Sequence, residues 1–161
     1  MDTLILGRDA LAPGLTRRYV KPRLYAMGFP EDSVDELLIA TSEAVTNAVM
    51  HGGPVEGSPG PDEVTVTLSV DGPSLVIAVT SPRTGWTVSA PTLPEPTAES
   101  GRGLFVIQSF TDAWTVRQSP RGTIVYLSRR LPPNAQRRGE RAGTSTRRPR
   151  ATAHGRRPPA G

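Results

Sequence analysis

The chain of 161 residues contains no cysteine, two histidines and few aromatic residues, which make up 5% of the total. The lack of cysteine excludes disulfide bonds, a thiolate nucleophile and cysteine-ligated metal sites. Its longest aliphatic runs, such as Leu75–Val79, are far too short to cross a bilayer, so we expect no membrane span and a cytoplasmic location. The scarcity of aromatic side chains removes the stacking platforms on which single-stranded nucleic acid binds.

Positive charge is concentrated at one end of the chain. The formal net charge is +4, but residues 135–161 contain eight arginines against the single Glu140. Residues 1–134 therefore carry a net charge of −3, and the excess of positive charge belongs to the tail. We expect one globular domain over residues 1–133 and a disordered Arg/Pro-rich tail over residues 134–161. Nucleic acid would then bind only non-specifically, through the tail.

Apolar periodicity and turn residues predict two helices, a β-hairpin, a third helix and a second hairpin. The first helix should end at Gly28, and Pro22 should either bend it or delay its start. The segment from residue 81 to residue 100 is Pro-rich and predicts a functional loop or lid. This order favours an α+β two-layer sandwich, with a mixed, largely antiparallel sheet and helices on one face. The predicted elements are helices 16–27, 32–51 and 104–110 and strands 63–70, 75–79, 113–117 and 123–128.

Glu43, Asn47 and His51 lie four residues apart on the second helix, within an arc of about 80°. The simplest explanation of such a stripe is a solvated polar helix face. If the stripe instead lines a cleft, the Asn47 oxygen can ligate Mg²⁺ and the Glu43 carboxylate can orient or deprotonate a hydroxyl group. His51 would then be a phosphate contact or only a structural neighbour.

The stretch "SGRGLFVI", residues Ser100–Ile107, places two glycines at the start of the third helix. Free backbone N–H groups and the helix dipole at such a position suit a phosphate group. By itself Gly-x-Gly is equally typical of a flexible loop with a helix cap. The stretch is neither a Walker loop nor a complete dinucleotide fingerprint, because the required lysine and third glycine are missing.

The motifs occur together in the order of a known family. The chain resembles the GHKL ATP-binding fold in the order of its motifs. These are the pair Glu43 and Asn47, the dipeptide His51-Gly52, a strand, a Pro-rich lid, "GRGL" and "GTIVYL". The stretch "SEAVTNAVMHG" is most similar to the anti-sigma-factor serine kinases of bacterial partner-switching systems. The resemblance covers roughly residues 10–130 and implies the Bergerat type of α+β sandwich.

The resemblance implies roles for individual residues. Glu43 would be the general base for the accepting serine hydroxyl, and Asn47 would be the Mg²⁺ ligand. Gly101 and Gly103 would bring backbone to the phosphates. Arg102 and His51 would assist them, and Thr123 would lie near the adenine. The residues that the resemblance assigns to nucleotide binding are Asn47, His51, Ser81, Gly101, Arg102, Gly103, Leu104 and Thr123.

Ser81 marks a departure from the family. After the strand that here reads "LVIAV", the family places an Asp whose carboxylate accepts a hydrogen bond from the adenine amino group. This chain has Ser81, or Thr80, at that place. Because a hydroxyl group accepts such a bond more weakly than a carboxylate, we expect weaker ATP binding and lower base selectivity.

The resemblance implies an ATP-binding regulatory protein that uses ATP and Mg²⁺. It would act as an anti-sigma factor and serine/threonine kinase toward a STAS-type anti-sigma-factor antagonist. A sigma factor and a second copy of the chain in a homodimer are the other implied partners. The alternative is a non-catalytic binding module of the same fold with weak or no ATP binding. Since His51 lies in the nucleotide motif and His154 in the tail, we do not expect a complete sensor histidine kinase.

Overall fold

The computed structural model describes residues 1–51, 62–82, 102–119 and 122–133. Residues 83–100 of the predicted lid, Gly101, the glycines after His51 and the predicted tail lie outside these ranges, so the domain boundary at residue 133 stays a prediction. In the described ranges no helix is both long and apolar enough to span a membrane. The elements are β1 (Asp2–Gly7), α1 (Ala12–Ala26), α2 (Glu31–His51), β2 (Glu63–Asp71), β3 (Ser74–Ser81), α3 (Arg102–Phe110), β4 (Ala113–Ser119) and β5 (Gly122–Arg130).

The strands form one five-stranded sheet in the order β1-β2-β3-β5-β4. Alternate side chains of its strands are buried in one core with the apolar faces of the three helices, while the other sheet face stays half-exposed. The predicted α+β sandwich with helices on one face is confirmed. All four described strand pairs are antiparallel, so the parallel component of the predicted mixed sheet is not seen among the described strands.

The first strand, β1, was not predicted. Its residues pair with β2 from Asp2 opposite Leu68 to Gly7 opposite Glu63. Leu6 is buried in the core, whereas Ile5 keeps 60% of its surface exposed. The local sequence gives no alternation because Leu4, Ile5 and Leu6 are all apolar. Pairing with β2, which lies far along the chain, therefore defines this strand.

Helix α1 begins at Ala12, four residues earlier than predicted, and continues through Pro22. Pro22 lies on the exposed side and removes one intrahelical hydrogen bond, and the buried face opposite compensates by packing on the core. The predicted end at Gly28 is correct. Gly28 has a φ of +82°, and the Phe29 N–H donates to the Leu24 carbonyl in a Schellman-type cap.

Helix α2 ends at His51 as predicted but begins at Glu31. The sequence predicts Asp32 or Ser33 as its N-cap, but both residues lie inside its first turn. Helical spacing also predicts one apolar face, which is confirmed, with Val49 partly buried and the other members buried. Two hydroxyl groups on this helix are also buried. The Thr41 hydroxyl donates to the Leu37 carbonyl at 2.6 Å, which satisfies it inside the core. The confirmed face consists of Val34, Leu37, Leu38, Thr41, Ala44, Val45, Ala48 and Val49.

The first hairpin and the third helix differ from the prediction in detail. The sequence predicts Asp71-Gly72 as the hairpin turn, but Asp71 pairs with Ser74, so the turn residues are Gly72 and Pro73. Helix α3 begins at Arg102 rather than at residue 104. Its apolar residues, Phe105 among them, are predicted on or near the inner side; Ile107 is fully buried, but Phe105 is 41% exposed.

Candidate functional site

Two arginines fix how α2 lies across the sheet. Arg129 on β5 donates from Nη2 to Glu36 Oε2 at 2.7 Å, and Arg8 after β1 donates from Nη1 to the Val49 carbonyl at 2.9 Å. The strand register places Arg8 at the same end of the sheet as Ser81. The N-terminal part of α2 is therefore held at one end of the sheet, and its C-terminal part lies toward the end that contains Ser81.

Helix α3 runs antiparallel to α2. Arg129 also donates from Nη1 to the Phe110 carbonyl at 3.3 Å, so the last residue of α3 lies near Glu36. At the other end of α3, Gly103 lies against Glu43 and Asn47. The first turn of α3, with its unpaired backbone N–H groups, therefore faces the C-terminal half of α2.

Gly103 makes the close approach between these two helices. A Cβ atom at this residue would lie 3.0 Å from Glu43 Oε2, 3.4 Å from Asn47 Nδ2 and 3.6 Å from Asn47 Oδ1. A glycine leaves this space open and lets the backbone of α3 lie beside a carboxylate and a carboxamide. The structure thus brings together three of the residues that the sequence singled out.

A second pair of predicted residues lies where β3 ends and β5 begins. Ser81 is directly opposite Thr123, and the two residues are 4% and 2% exposed on the sheet face that the helices cover. Gly122 has a φ of +137°, and a Cβ atom on it would collide with the Ser81 carbonyl oxygen. Glycine at this place therefore allows close contact between the strand ends and holds the two hydroxyl groups side by side.

Three of the remaining predicted residues lie at the end of α2 or at the start of α3. His51 is the last residue of α2 and is exposed, one turn beyond Asn47 on the same row. Leu104 lies in the first turn of α3 and its side chain packs against the core, so only its backbone can take part in the site. Arg102 begins α3, and Gly101 lies outside the described residues.

The donors around Asn47 fit a magnesium ion. A carboxamide oxygen and a carboxylate oxygen are the hard ligands that Mg²⁺ takes, and this ion usually combines one or two protein donors with phosphate oxygens and water. Asn47 and Glu43 supply two such donors beside the open start of a helix. The arrangement therefore suits an ion that is shared with a phosphate-bearing ligand.

Sequence reasoning missed the two anchoring arginines and the role of Gly122. The alternation of side chains along β5 could have indicated the position of Arg129, because it places residue 129 on the same face as the buried Val125 and Leu127. No local signal marks Arg8, which lies just after a strand that was not predicted.

Comparison with protein families identifies the family of this chain. A family model described as a histidine kinase-like ATPase domain matches residues 10–129. The chain therefore belongs to the family of histidine kinase-like ATPase domains, which confirms the resemblance drawn from the motifs. Domains of this kind bind ATP, generally with Mg²⁺.

Among solved structures, the chain is similar to the RsbU and RsbW domains of Rv1364c from Mycobacterium tuberculosis. The match has 19% sequence identity and a TM-score of 0.57, and it covers 81% of this chain and 33% of that chain. At this identity the match supports the fold alone. The chain spans about a third of the length of that chain. A search among curated proteins found no match.

Proposed function

We propose that this protein binds Mg-ATP between α2 and α3 and phosphorylates a serine or threonine of an anti-sigma-factor antagonist. The observation that carries the proposal is the close approach of Gly103 to Glu43 and Asn47. Membership of the histidine kinase-like ATPase family supports ATP as the ligand. The motif "SEAVTNAVMHG", which resembles that of the anti-sigma-factor serine kinases, supports a partner-switching role.

Each group near Gly103 has a distinct task in this proposal. The Asn47 carboxamide oxygen would ligate Mg²⁺, and the first N–H groups of α3 would donate to phosphate oxygens. Bound Mg-ATP supplies the phosphoryl group. The acceptor oxygen forms the new bond to phosphorus, the bond to the ADP oxygen breaks, and Glu43 takes the hydroxyl proton.

A non-catalytic module that binds its partner without using nucleotide is the second candidate. Ser81 favours it, because a hydroxyl group in the place of a carboxylate weakens recognition of adenine. Glu43 favours catalysis, since a surface that only binds a protein needs no base beside the start of α3. The two candidates differ in whether the partner is phosphorylated at all; if it is, the reaction should depend on Glu43.

Replacing Gly103 with alanine is expected to weaken Mg-ATP binding about tenfold. The added methyl group would enter the space beside Glu43 and Asn47 and displace the side chains that face the phosphates. Isothermal titration calorimetry with Mg-ATP measures the affinity of the parent protein and the variant.

Gly14→Ala is the matched control for this substitution. Gly14 lies in α1, where an added Cβ would meet only Arg17 Nη2 at 4.0 Å. Alanine favours the helix in both variants, so both should stay folded and only Gly103→Ala should lose affinity for nucleotide. Equal affinity in the parent and Gly103→Ala, or no binding by the parent, would contradict an ATP site at this place.

Replacing Ser81 with aspartate is expected to raise the affinity for Mg-ATP about tenfold and to increase the preference for ATP over GTP. A carboxylate opposite Thr123 would accept a charge-assisted hydrogen bond from the adenine amino group. Titration of both nucleotides into the parent, Ser81→Asp and the neutral Ser81→Asn measures the effect. If Ser81→Asp binds ATP no better than Ser81→Asn, the base does not lie at Ser81 and Thr123.

A further inference from the structure

Arg8 connects the end of α2 to the start of β2. Its Nη1 donates to the Val49 carbonyl at 2.9 Å, and its Nε pairs with Asp62 Oδ1 at 2.6 Å. The Arg8 backbone N–H also donates to the Asp62 carbonyl at 3.2 Å, so Asp62 is held twice. Val49 and Asp62 lie on either side of residues 52–61 in the sequence. One residue therefore fixes where α2 ends relative to where the chain enters β2.

The bond to Val49 caps the C-terminal end of α2. The carbonyl groups of the last four residues of a helix have no partner within the helix, and Val49 is one of these residues. A guanidinium group satisfies such a carbonyl and also interacts favourably with the negative end of the helix dipole. The Arg8 side chain is only 21% exposed, so solvent screens this interaction less than it would on an open surface. Arg8 should therefore keep the last turn of α2 from fraying.

Asn47, the proposed Mg²⁺ ligand, lies at the start of the turn that Arg8 caps. It is two residues before Val49, and in a regular helix its carbonyl accepts the N–H of His51, the last residue of α2. If the last turn frays, that bond is lost and the Asn47 carboxamide is no longer held beside Gly103. Removing a group that orients a metal ligand typically lowers metal affinity about 10- to 100-fold, although the group never touches the ion.

We propose that Arg8 is a positioning residue for Mg-ATP binding, which holds the last turn of α2 in place and, through that turn, the Asn47 carboxamide oxygen. The inference rests on the proposed function, because it gives Arg8 a task toward the ion that Asn47 would hold. Glu43 lies a full turn earlier in α2, so its position should depend less on Arg8. The loss of Arg8 should therefore affect the affinity for Mg-ATP more than the transfer of the proton.

Replacing Arg8 with methionine is expected to weaken Mg-ATP binding about tenfold and to reduce its dependence on Mg²⁺. Methionine keeps an unbranched apolar stem but donates to neither Val49 nor Asp62. Isothermal titration calorimetry of ATP into the full chain, with Mg²⁺ and with EDTA, measures both effects. EDTA should weaken binding less in the variant than in the parent, because a displaced Asn47 has already lost part of its interaction with the ion. Arg8→Lys, which keeps a donor for the Val49 carbonyl, should recover part of the affinity.

Arg23→Met is the matched control, because Arg23 makes the same two kinds of contact elsewhere. Its Nη1 donates to the Tyr19 carbonyl of α1 at 2.8 Å, and its Nε pairs with Asp2 Oδ2 at 3.2 Å. The strand register places Asp2 at the end of the sheet away from Ser81. Arg23 also lies over the Tyr19 ring, so its loss should lower stability at least as much as the loss of Arg8. Urea unfolding without nucleotide measures both losses, and only Arg8→Met should lose affinity for Mg-ATP.

The proposal is overturned if Arg8→Met binds Mg-ATP as tightly as the parent. It is also overturned if Arg23→Met loses as much affinity, since the effect would then be one of general stability. An unchanged response to EDTA in Arg8→Met would show that the interaction of Asn47 with the ion does not depend on Arg8. A parent that binds no Mg-ATP would overturn the proposed function together with this inference, whereas the first three results would leave the proposed function standing.

Discussion

Replacing Glu43 with glutamine should lower the rate of phosphoryl transfer to the antagonist by about 10²- to 10⁴-fold, with little change in the affinity for Mg-ATP. Glutamine keeps the size of the side chain beside Gly103 but cannot accept the hydroxyl proton. The affinity should persist because Asn47 and the amides of α3 are unchanged and the glutamine side chain keeps an oxygen donor. Transfer of labelled phosphate from ATP to a STAS-type antagonist from the same genome, under single-turnover conditions, measures the rate.

Asp35→Asn is the control for a general effect of removing charge from α2. Asp35 is exposed in the N-terminal part of α2, so its loss should change stability little and leave the transfer rate unchanged. Transfer by Glu43→Gln at the parent rate would rule out the role of base. If the parent transfers no phosphate, and if the parent and Glu43→Gln capture the antagonist equally without ATP, the protein is a non-catalytic binding module.

Much of the fold followed from local sequence patterns. The alternation in β2 and the apolar face of α2 are strong sequence signals, because each element buries one face against the same core. β1 escaped prediction because three consecutive apolar residues carry no period, and its partner strand begins more than fifty residues later. The start of α1 was missed because Pro22 argues against a helix locally, while packing of the buried face outweighs it. Pro13 lies in the first turn, where a proline costs no hydrogen bond.

The site was predictable where its residues share one helix. Glu43 and Asn47 follow from their spacing, and the nearby glycine motif followed from its likeness to a phosphate-binding helix start. The contact of Gly103 with both side chains depends on how α3 crosses α2. Arg129 sets that arrangement through partners on both helices, and its bond to Glu36 joins residues 93 positions apart. Such long-range contacts leave no periodic signal in the sequence.

Replacing Asn47 with alanine should lower the affinity for Mg-ATP about 100-fold, through loss of the side-chain oxygen that would hold the ion. Asn47 also lies next to Gly103, so the same substitution removes a polar side chain beside the amides that would bind the phosphates. Titration of ATP into the parent and the variant, each with Mg²⁺ and with EDTA, measures the effect. Asn47→Asp, which keeps an oxygen donor, should retain a dependence on Mg²⁺.

The affinities of the parent and of Asn47→Ala, each measured with Mg²⁺ and with EDTA, distinguish a metal ligand from a residue that only contacts phosphate. If Asn47 acts through Mg²⁺, EDTA should weaken binding strongly in the parent and hardly at all in Asn47→Ala, because both changes remove the same interaction. If Asn47 contacts the phosphates without the ion, the two losses should add. An additive result would therefore assign Asn47 to phosphate binding, and the metal ligand would have to be sought elsewhere in the chain.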